Sequence, residues 1–266
     1  MKQLFNYHSH TSRCGHAVGT DEEYVKAAIA AGYQKMGFSD HAPYPGQYHP
    51  EERMDVSELP EYIRSVKDLQ ARYRDQIDIY IGLEIENYQA FQHELRAYRE
   101  MFDYCIIGQH SAALREGRAI GDYYVENDDG HVLLYAGQIK EALEAGMADI
   151  VAHPDLFMYS RAQWSDACEQ AAQMICDAAL AADVPLEVNM GGIKRGMRTI
   201  GRQTRLVYPY RRFWEVAARK GNKVVYGLDA HDPQEYLKKE QYDIVDEVIA
   251  VLDLHFVDAL TFSHKL

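Results

Sequence analysis

No stretch of the chain approaches eighteen consecutive apolar residues, which excludes a transmembrane helix. The N-terminus, MKQLFNYHSH, carries no apolar run leading to a small-residue cleavage site. No secretory signal is therefore read, and a cytoplasmic location is expected. Cysteine is scarce: there are four, at positions 14, 105, 168 and 176, with no CxxC pair, so a disulfide scaffold is excluded. Cys14 stands between His10 and His16 and is read as a buried, incidental thiol. Basic residues are outnumbered, 28 Lys and Arg against 41 Asp and Glu, for a formal net charge of −13. That balance lacks the electrostatic footprint of a nucleic-acid binder. No GxGxxG loop follows the first predicted strand, which argues against a dinucleotide fold. Low-complexity tracts and Pro/Ser/Gly-rich linkers are also missing.

What remains is 266 residues, 47% of them hydrophobic, enough for one sizeable core. Short apolar runs alternate with helical patterns from end to end. Strands are predicted at Leu4–His8, Met36–Ser39, Ile77–Glu84, Tyr104–Gly108, Ile150–Ala152, Leu186–Asn189 and Val224–Gly227. Helices are predicted near Glu22–Ala31, Leu59–Tyr73, Phe91–Tyr98, Val132–Ala145, Trp164–Ala182, Phe213–Arg219 and Tyr242–Leu254. In the first helix the apolar stripe passes through Val25, Ala28 and Ile29, with Thr20 or Asp21 as cap. Strands separated by helices imply a parallel sheet, and seven unbroken βα units favour a (β/α)7 barrel over an open doubly wound sheet. The expectation is one α/β domain over residues 1–266.

The histidines are not scattered. His8 and His10 close the first strand in YHSHT, two apart and so on one face. His16 follows in the next loop. Asp40 and His41 end the second strand (GFSDHAP), Glu84 the third (IGLEIEN), His110 the fourth (IIGQHS) and His153 the fifth (VAHPD). Asp229 and His231, again two apart, end the seventh (GLDAHDP). Seven of the twelve histidines thus stand at or just after the carboxyl ends of predicted parallel strands. In βα barrels those ends form the face that carries the active site. One histidine so placed is more often an ordinary core or surface residue; several strand ends delivering imidazole and carboxylate to one face make a metal site. Such donors without thiolate suit Zn, Fe or Mn. His93, His131, His255 and His264 fall outside the pattern and are read as solvated. His49 is read as an ordinary residue of its loop.

On the motifs HSH, DH, the lone Glu, H, HP and DAH, in that order along the whole chain, the sequence resembles the polymerase-and-histidinol-phosphatase (PHP) family of metallohydrolases. Within it, SDHAPYP and GLDAH are most similar to the histidinol-phosphatase group. The resemblance implies a distorted seven-stranded barrel with a metal site at the C-terminal ends of its strands. It implies three divalent ions, of Zn, Fe or Mn. The first would take His8, His10, Glu84 and Asp229; Glu84 would bridge to a second held by His110 and His153; the third would take His16, His41 and His231. Asp40 is left to orient His41. Gln109 departs from the GSVH expected before His110, which touches a pocket contact but no ligand.

The implied activity is hydrolysis of a phosphate monoester, L-histidinol phosphate, in histidine biosynthesis. A metal-bridging water would have its pKa lowered from 15.7 toward roughly 7, giving a hydroxide nucleophile. Attack would run in line through a loose transition state. Asp229 or His231 would return a proton to the leaving alkoxide. Arg161 after the fifth strand and Arg198 after the sixth are the expected phosphate contacts, with Arg195 next, in a loop that also holds Lys194 and Arg202. Tyr44, Tyr48 and His49 are candidates to meet the amine and imidazole. The partner expected is a small phosphorylated substrate, with neither nucleic acid nor membrane; the oligomeric state stays open. The competing readings are a PHP-type enzyme for another small phosphate ester or nucleotide, and a non-catalytic metal-binding module.

Overall fold

A computed structural model describes residues 3–125 and 127–266. Eight strands form one curled parallel sheet: β1 Phe5–Asn6, β2 Lys35–Phe38, β3 Asp78–Ile85, β4 Tyr104–Ile107, β5 Ile150–Val151, β6 Leu186–Asn189, β7 Lys223–Gly227 and β8 His255–Phe256. They pair in chain order. The helices between them are α1 Asp21–Ala31, α2 Leu59–Tyr73, α3 Gln92–Met101, α4 Asp129–Glu144, α5 Asp166–Ala182, α6 Gly191–Lys194, α7 Arg211–Lys220 and α8 Glu240–Ile249. α1 shows how locally the boundaries are set. Thr20 and Glu23 form a reciprocal capping box at its start, and Gly32, at φ 90°, ends it in the left-handed conformation.

Strand β3 explains how one strand serves two environments. Ile79, Ile81, Leu83 and Ile85 face outward and join a cluster that includes Tyr62, Val66 and Leu69 of α2. The alternate residues, Tyr80, Gly82 and Glu84, face the inside of the curl. There Tyr80 belongs to a separate cluster with Phe5, Tyr7, Tyr104, Ile106, Ile150, Ala152 and Val225. Gly82 makes room for it: a Cβ there would lie 2.5 Å from the Tyr104 ring. Phe262, from the segment after β8, stacks on Tyr104 with ring centroids 4.9 Å apart. Tyr7 OH donates to the Leu260 carbonyl at 2.6 Å. The C-terminal segment therefore packs at the amino ends of the strands, and the carboxyl ends stay open.

The two ends of the sheet approach each other through side chains. Gln3 accepts from the Tyr226 N–H at 2.9 Å and donates to the Tyr226 carbonyl at 2.8 Å, replacing a neighbouring strand. Asn6 accepts from the Leu228 N–H at 2.9 Å. Just beyond, Ser9 and Ala230 form a parallel bridge, with His10 N–H donating to the Ala230 carbonyl at 2.8 Å. That bridge brings the residues after β1 beside those after β7.

Seven predicted strands and seven predicted helices coincide with observed elements, but the sheet has eight strands rather than seven. β8 is two residues long and pairs with the start of β7, too short to leave a periodic signal. The last helix ends at Ile249, before Leu254. His255 accordingly lies in a strand, exposed, and not beside a helix. Two antiparallel hairpins, Ser111–Arg115 with Arg118–Asp122 and Arg198–Ile200 with Gln203–Arg205, were not anticipated. Each occupies a loop at the open end. No helix among the described residues is long and apolar enough to cross a membrane.

Asn6→Leu keeps the branched shape with bulkier ends, leaves the Leu228 N–H without its acceptor in a buried seam and removes the amide donor to the His8 carbonyl, Ser9 and Tyr236. The expected loss is about 1–3 kcal/mol in urea unfolding. A change below about 0.5 kcal/mol would mean the amide contributes nothing to the seam.

Candidate metal centre

Every strand end singled out in the sequence arrives at one place. Regular pairing in β1 stops at Asn6, and His8 and His10 come from the segment held by the Ser9–Ala230 bridge. His153 and Asp229 both have positive φ, 30° and 51°, conformations that L-residues rarely adopt. These turns sit at the ends of β5 and β7, where the chain leaves the sheet.

Glu84 is the hub. Its Oε2 lies 3.0 Å from His41 Nδ1, 3.2 Å from His10 Nε2 and 3.5 Å from His8 Nε2. Oε1 lies 3.0 Å from His153 Nε2 and 3.6 Å from His110 Nε2. Asp229 Oδ1 is 3.5 Å from both His8 Nε2 and His10 Nε2, and 3.4 Å from His231 Nδ1. His16 Nε2 meets His231 Nε2 at 3.0 Å. The ligand atoms of His8, His10 and Asp229 lie within 4.8 Å of one another, as do those of His8, Glu84 and His153 and those of His10, His41 and His231.

The donor chemistry fits divalent ions. His8 Nε2 and both ring nitrogens of His10 are buried without a hydrogen-bond partner. An orphaned buried polar atom costs about 1–3 kcal/mol. Two ligands at about 2.1 Å from a tetrahedral ion stand roughly 3.4 Å apart, which is the spacing seen between His8 Nε2 and its two carboxylates.

The PHP domain family model matches residues 6–191. The chain belongs to the PHP domain family. A Deinococcus radiodurans protein named "probable histidinol-phosphatase" is 28% identical over 240 residues, covering 88% of this chain and 89% of that one. The histidinol-phosphatase of Lactococcus lactis is 33% identical over 144 residues, 53% of this chain and 47% of that one. The crystal structure of a Lactococcus lactis histidinol phosphate phosphatase, complexed with zinc, L-histidinol and phosphate, has a TM-score of 0.71 at 19% identity. It covers 96% of this chain and 95% of that one, so the two share a fold.

Charge is finely partitioned in this PHP site. Burial would raise Glu84, but His41, His8 and His110 hold its carboxyl well below the usual range. Burial likewise opposes the ionised form of Asp229, which His8, His231 and Lys194 hold well below that range. Burial lowers His8, yet Glu187, Asp229 and Glu84 outweigh it and raise the imidazole well above its ordinary value. His10 goes the other way, lowered by burial and by His231 and His41 beside it. His231 is pushed down to about 3 by burial, aided by Lys194 against the pull of Asp229.

Beside the cluster lie two adjoining cavities. One, of about 240 Å³, is bounded by Glu84, His153, Asp229, His231, Lys194 and Arg195 among others. The second, of about 460 Å³, carries Glu52, Asp122, Tyr124, Tyr159 and Arg195. Arg195 faces both, its guanidinium 5.8 Å from the Tyr124 and Tyr159 ring centres. Lys194 is held by Glu235 at 2.8 Å and touches the Asp229 carbonyl.

Other expected residues lie away from the cluster. Arg161 lines neither cavity; its guanidinium bonds Asp129, the Asn127 carbonyl and Ser165, tying the start of α4 to that of α5. Arg198 is exposed on its hairpin over the Tyr159 ring and also lines neither. Asp40 does not orient His41: its carboxylate accepts from the Thr11 N–H at 2.7 Å and hydroxyl at 2.8 Å, fixing the loop after His10. Tyr44 is buried and donates to the Glu86 carbonyl, while Tyr48 and His49 line neither cavity. Gln109 is buried, accepting from Asn87 N–H and donating to the Ser111 carbonyl. Cys14 is buried as expected, its thiol pushed up to about 12 by burial and by Asp40. His264 is exposed, as expected, and stacks on Tyr80 at 4.6 Å. Two buried carboxylates went unnoticed, Glu86 against Arg53 and His110, and Glu187 against His8. Glu86 follows Glu84 by two residues, and that spacing was the available signal; Glu187 has no such neighbour on its strand.

A Cβ on Gly108 would stand 1.8 Å from Glu84 Oε1. Gly108→Ala is therefore expected to displace the carboxylate and weaken metal binding about tenfold or more, with the far-ultraviolet circular dichroism unchanged. Equal metal content and affinity in the two proteins would show that Glu84 is not held there.

Proposed function

We propose that this PHP protein is a metal-dependent phosphomonoesterase that hydrolyses L-histidinol phosphate to L-histidinol and phosphate. The observation that carries the reading is the convergence of His8, His10, His16, His41, Glu84, His110, His153, Asp229 and His231 around two cavities lined with cations. The Deinococcus relative, matched over most of both chains, supports the choice of substrate. All described strands contribute to the one sheet or to hairpins at its open end, which supports reading residues 1–266 as a single barrel domain with its metal site at the C-terminal strand ends.

His8, His10, Glu84 and Asp229 would hold one ion, Glu84 with His110 and His153 a second, and His16, His41 and His231 a third, of Zn, Fe or Mn. When bound, such ions supply positive charge against the phosphate oxygens and an acidified water as nucleophile. The chain's own groups do the rest. Arg195 and Lys194, both on the cavity wall, hold the remaining phosphate oxygens and offset the charge that the ester brings. Arg195 lines both cavities, whereas Arg161 and Arg198, the other expected phosphate contacts, line neither. Asp229 and His231, both unprotonated and beside Lys194, would take up the proton given off by the attacking water and pass it to the leaving alkoxide. The larger cavity offers Glu52 and Asp122 to an ammonium group and Tyr124 to an imidazole ring. Glu86, pushed down to about 2 by Arg53 and His110 despite its burial, keeps His110 oriented from behind.

Phosphate release from L-histidinol phosphate should be abolished by chelation and restored by divalent metal, and should exceed release from generic phosphate esters at least about a hundredfold, the share owed to specific contacts. Comparable rates on all esters would refute the substrate. Arg195→Ala should lower kcat/KM about 10–100-fold, the worth of one charged hydrogen bond to phosphate. An unchanged value would remove Arg195 from the phosphate site.

A further inference from the structure

β6 ends among the site residues and supplies no histidine. Its inward carboxylate, Glu187, is only 2% exposed and sits on the same face as Asn189. Its two oxygens lie 2.9 Å and 3.1 Å from His8 Nδ1. Oε2 also accepts from the His153 backbone N–H at 3.2 Å and from the Asn189 amide at 2.7 Å. One carboxylate thus ties together the ends of β1, β5 and β6.

The fold makes space for it deliberately. A Cβ on Gly227 of β7 would lie 1.6 Å from Glu187 Oε1, just as one on Gly108 would lie 1.8 Å from Glu84 Oε1. Two carboxylates are each seated over a glycine of the next strand. Glu84 faces the Nε2 side of the His8 ring, and Glu187 faces its Nδ1 side. A neutral imidazole donates from one nitrogen and accepts at the other. A carboxylate at Nδ1 holds a proton there, so that when an ion takes the place of the Nε2 proton the lone pair is directed at the space between Glu84 and Asp229. Carboxylates placed behind metal-binding imidazoles also raise ligand basicity, and removing one typically costs 10–100-fold in metal affinity.

We propose that Glu187 is a positioning residue for the metal centre: it fixes the tautomer and direction of His8 and, through the His153 main chain, the approach of a second imidazole. This rests on the metal-site reading above. It predicts a defect in metal binding that a purely structural carboxylate would not produce.

The test is titration of metal-depleted wild-type, Glu187→Gln and Gly227→Ala proteins with cobalt(II). Affinity and the d–d absorption spectrum are read together with thermal unfolding of the metal-free forms. Glu187→Gln keeps the shape and removes the charge. It is expected to fold, to bind cobalt about 10–100-fold more weakly and to show an altered spectrum. Gly227→Ala leaves Glu187 in the chain but displaces its oxygen, and should weaken binding in the same direction; it decides the matter if Glu187→Gln does not fold. Wild-type affinity and spectrum in the variants would overturn the proposal, even if their metal-free forms melted at lower temperature. A wild-type protein that takes up no cobalt would overturn the metal reading and this proposal with it.

Discussion

The structure turns on one buried carboxylate. Glu84 is 1% exposed and touches five imidazoles, those of His8, His10, His41, His110 and His153. A lone carboxylate at such depth would cost more than a fold of ordinary stability can absorb. Its neighbours offset that cost only because the strands deliver them from every side. Glu84 therefore explains why the strand ends converge as they do, why Gly108 lacks a side chain, and why nitrogens of His8 and His10 are left for something other than protein to satisfy.

The remainder of the sheet isolates that cluster. Below it the inner face of β3 changes from Glu84 to Tyr80 within a few residues, and Tyr80 and Tyr104 close the interior together with the C-terminal Phe262. Behind it the outward isoleucines of β3 pack with the helices. At the seam, Gln3 and Asn6 use side-chain amides where a strand would use its backbone. At the open end a protein of net charge −13 presents Arg195 and Lys194 on a concave face.

Much of the site was legible because its signal is periodic. His8 with His10 and Asp229 with His231 are spaced by two at strand ends, and strand ends of parallel sheets point to one face. The seven longer or strongly apolar strands were legible for the same reason. β8 and the two hairpins were not: they lack the apolar run and the motif at its end that marked strands as short as β1 and β5. Glu187 was missed because β6 carries no histidine to draw attention, and its importance lies in partners more than 30 residues away along the chain. For Arg161 and Arg198, sequence places a cation on a loop without fixing where its side chain points. In the fold Arg161 is taken up by Asp129 and Ser165, and Arg195 faces the cavities. Asp40 shows the same limit: adjacent to His41 in the chain, it bonds Thr11.

The most direct measurement is the metal content of the purified wild-type chain against Glu84→Gln, by elemental analysis with circular dichroism as the control for folding. The account predicts bound divalent metal in the wild type and the loss of most of it in the variant, with the helical and sheet signal intact. Equal metal in both, or none in the wild type, would contradict the claim that Glu84 and its ring of histidines form the metal centre.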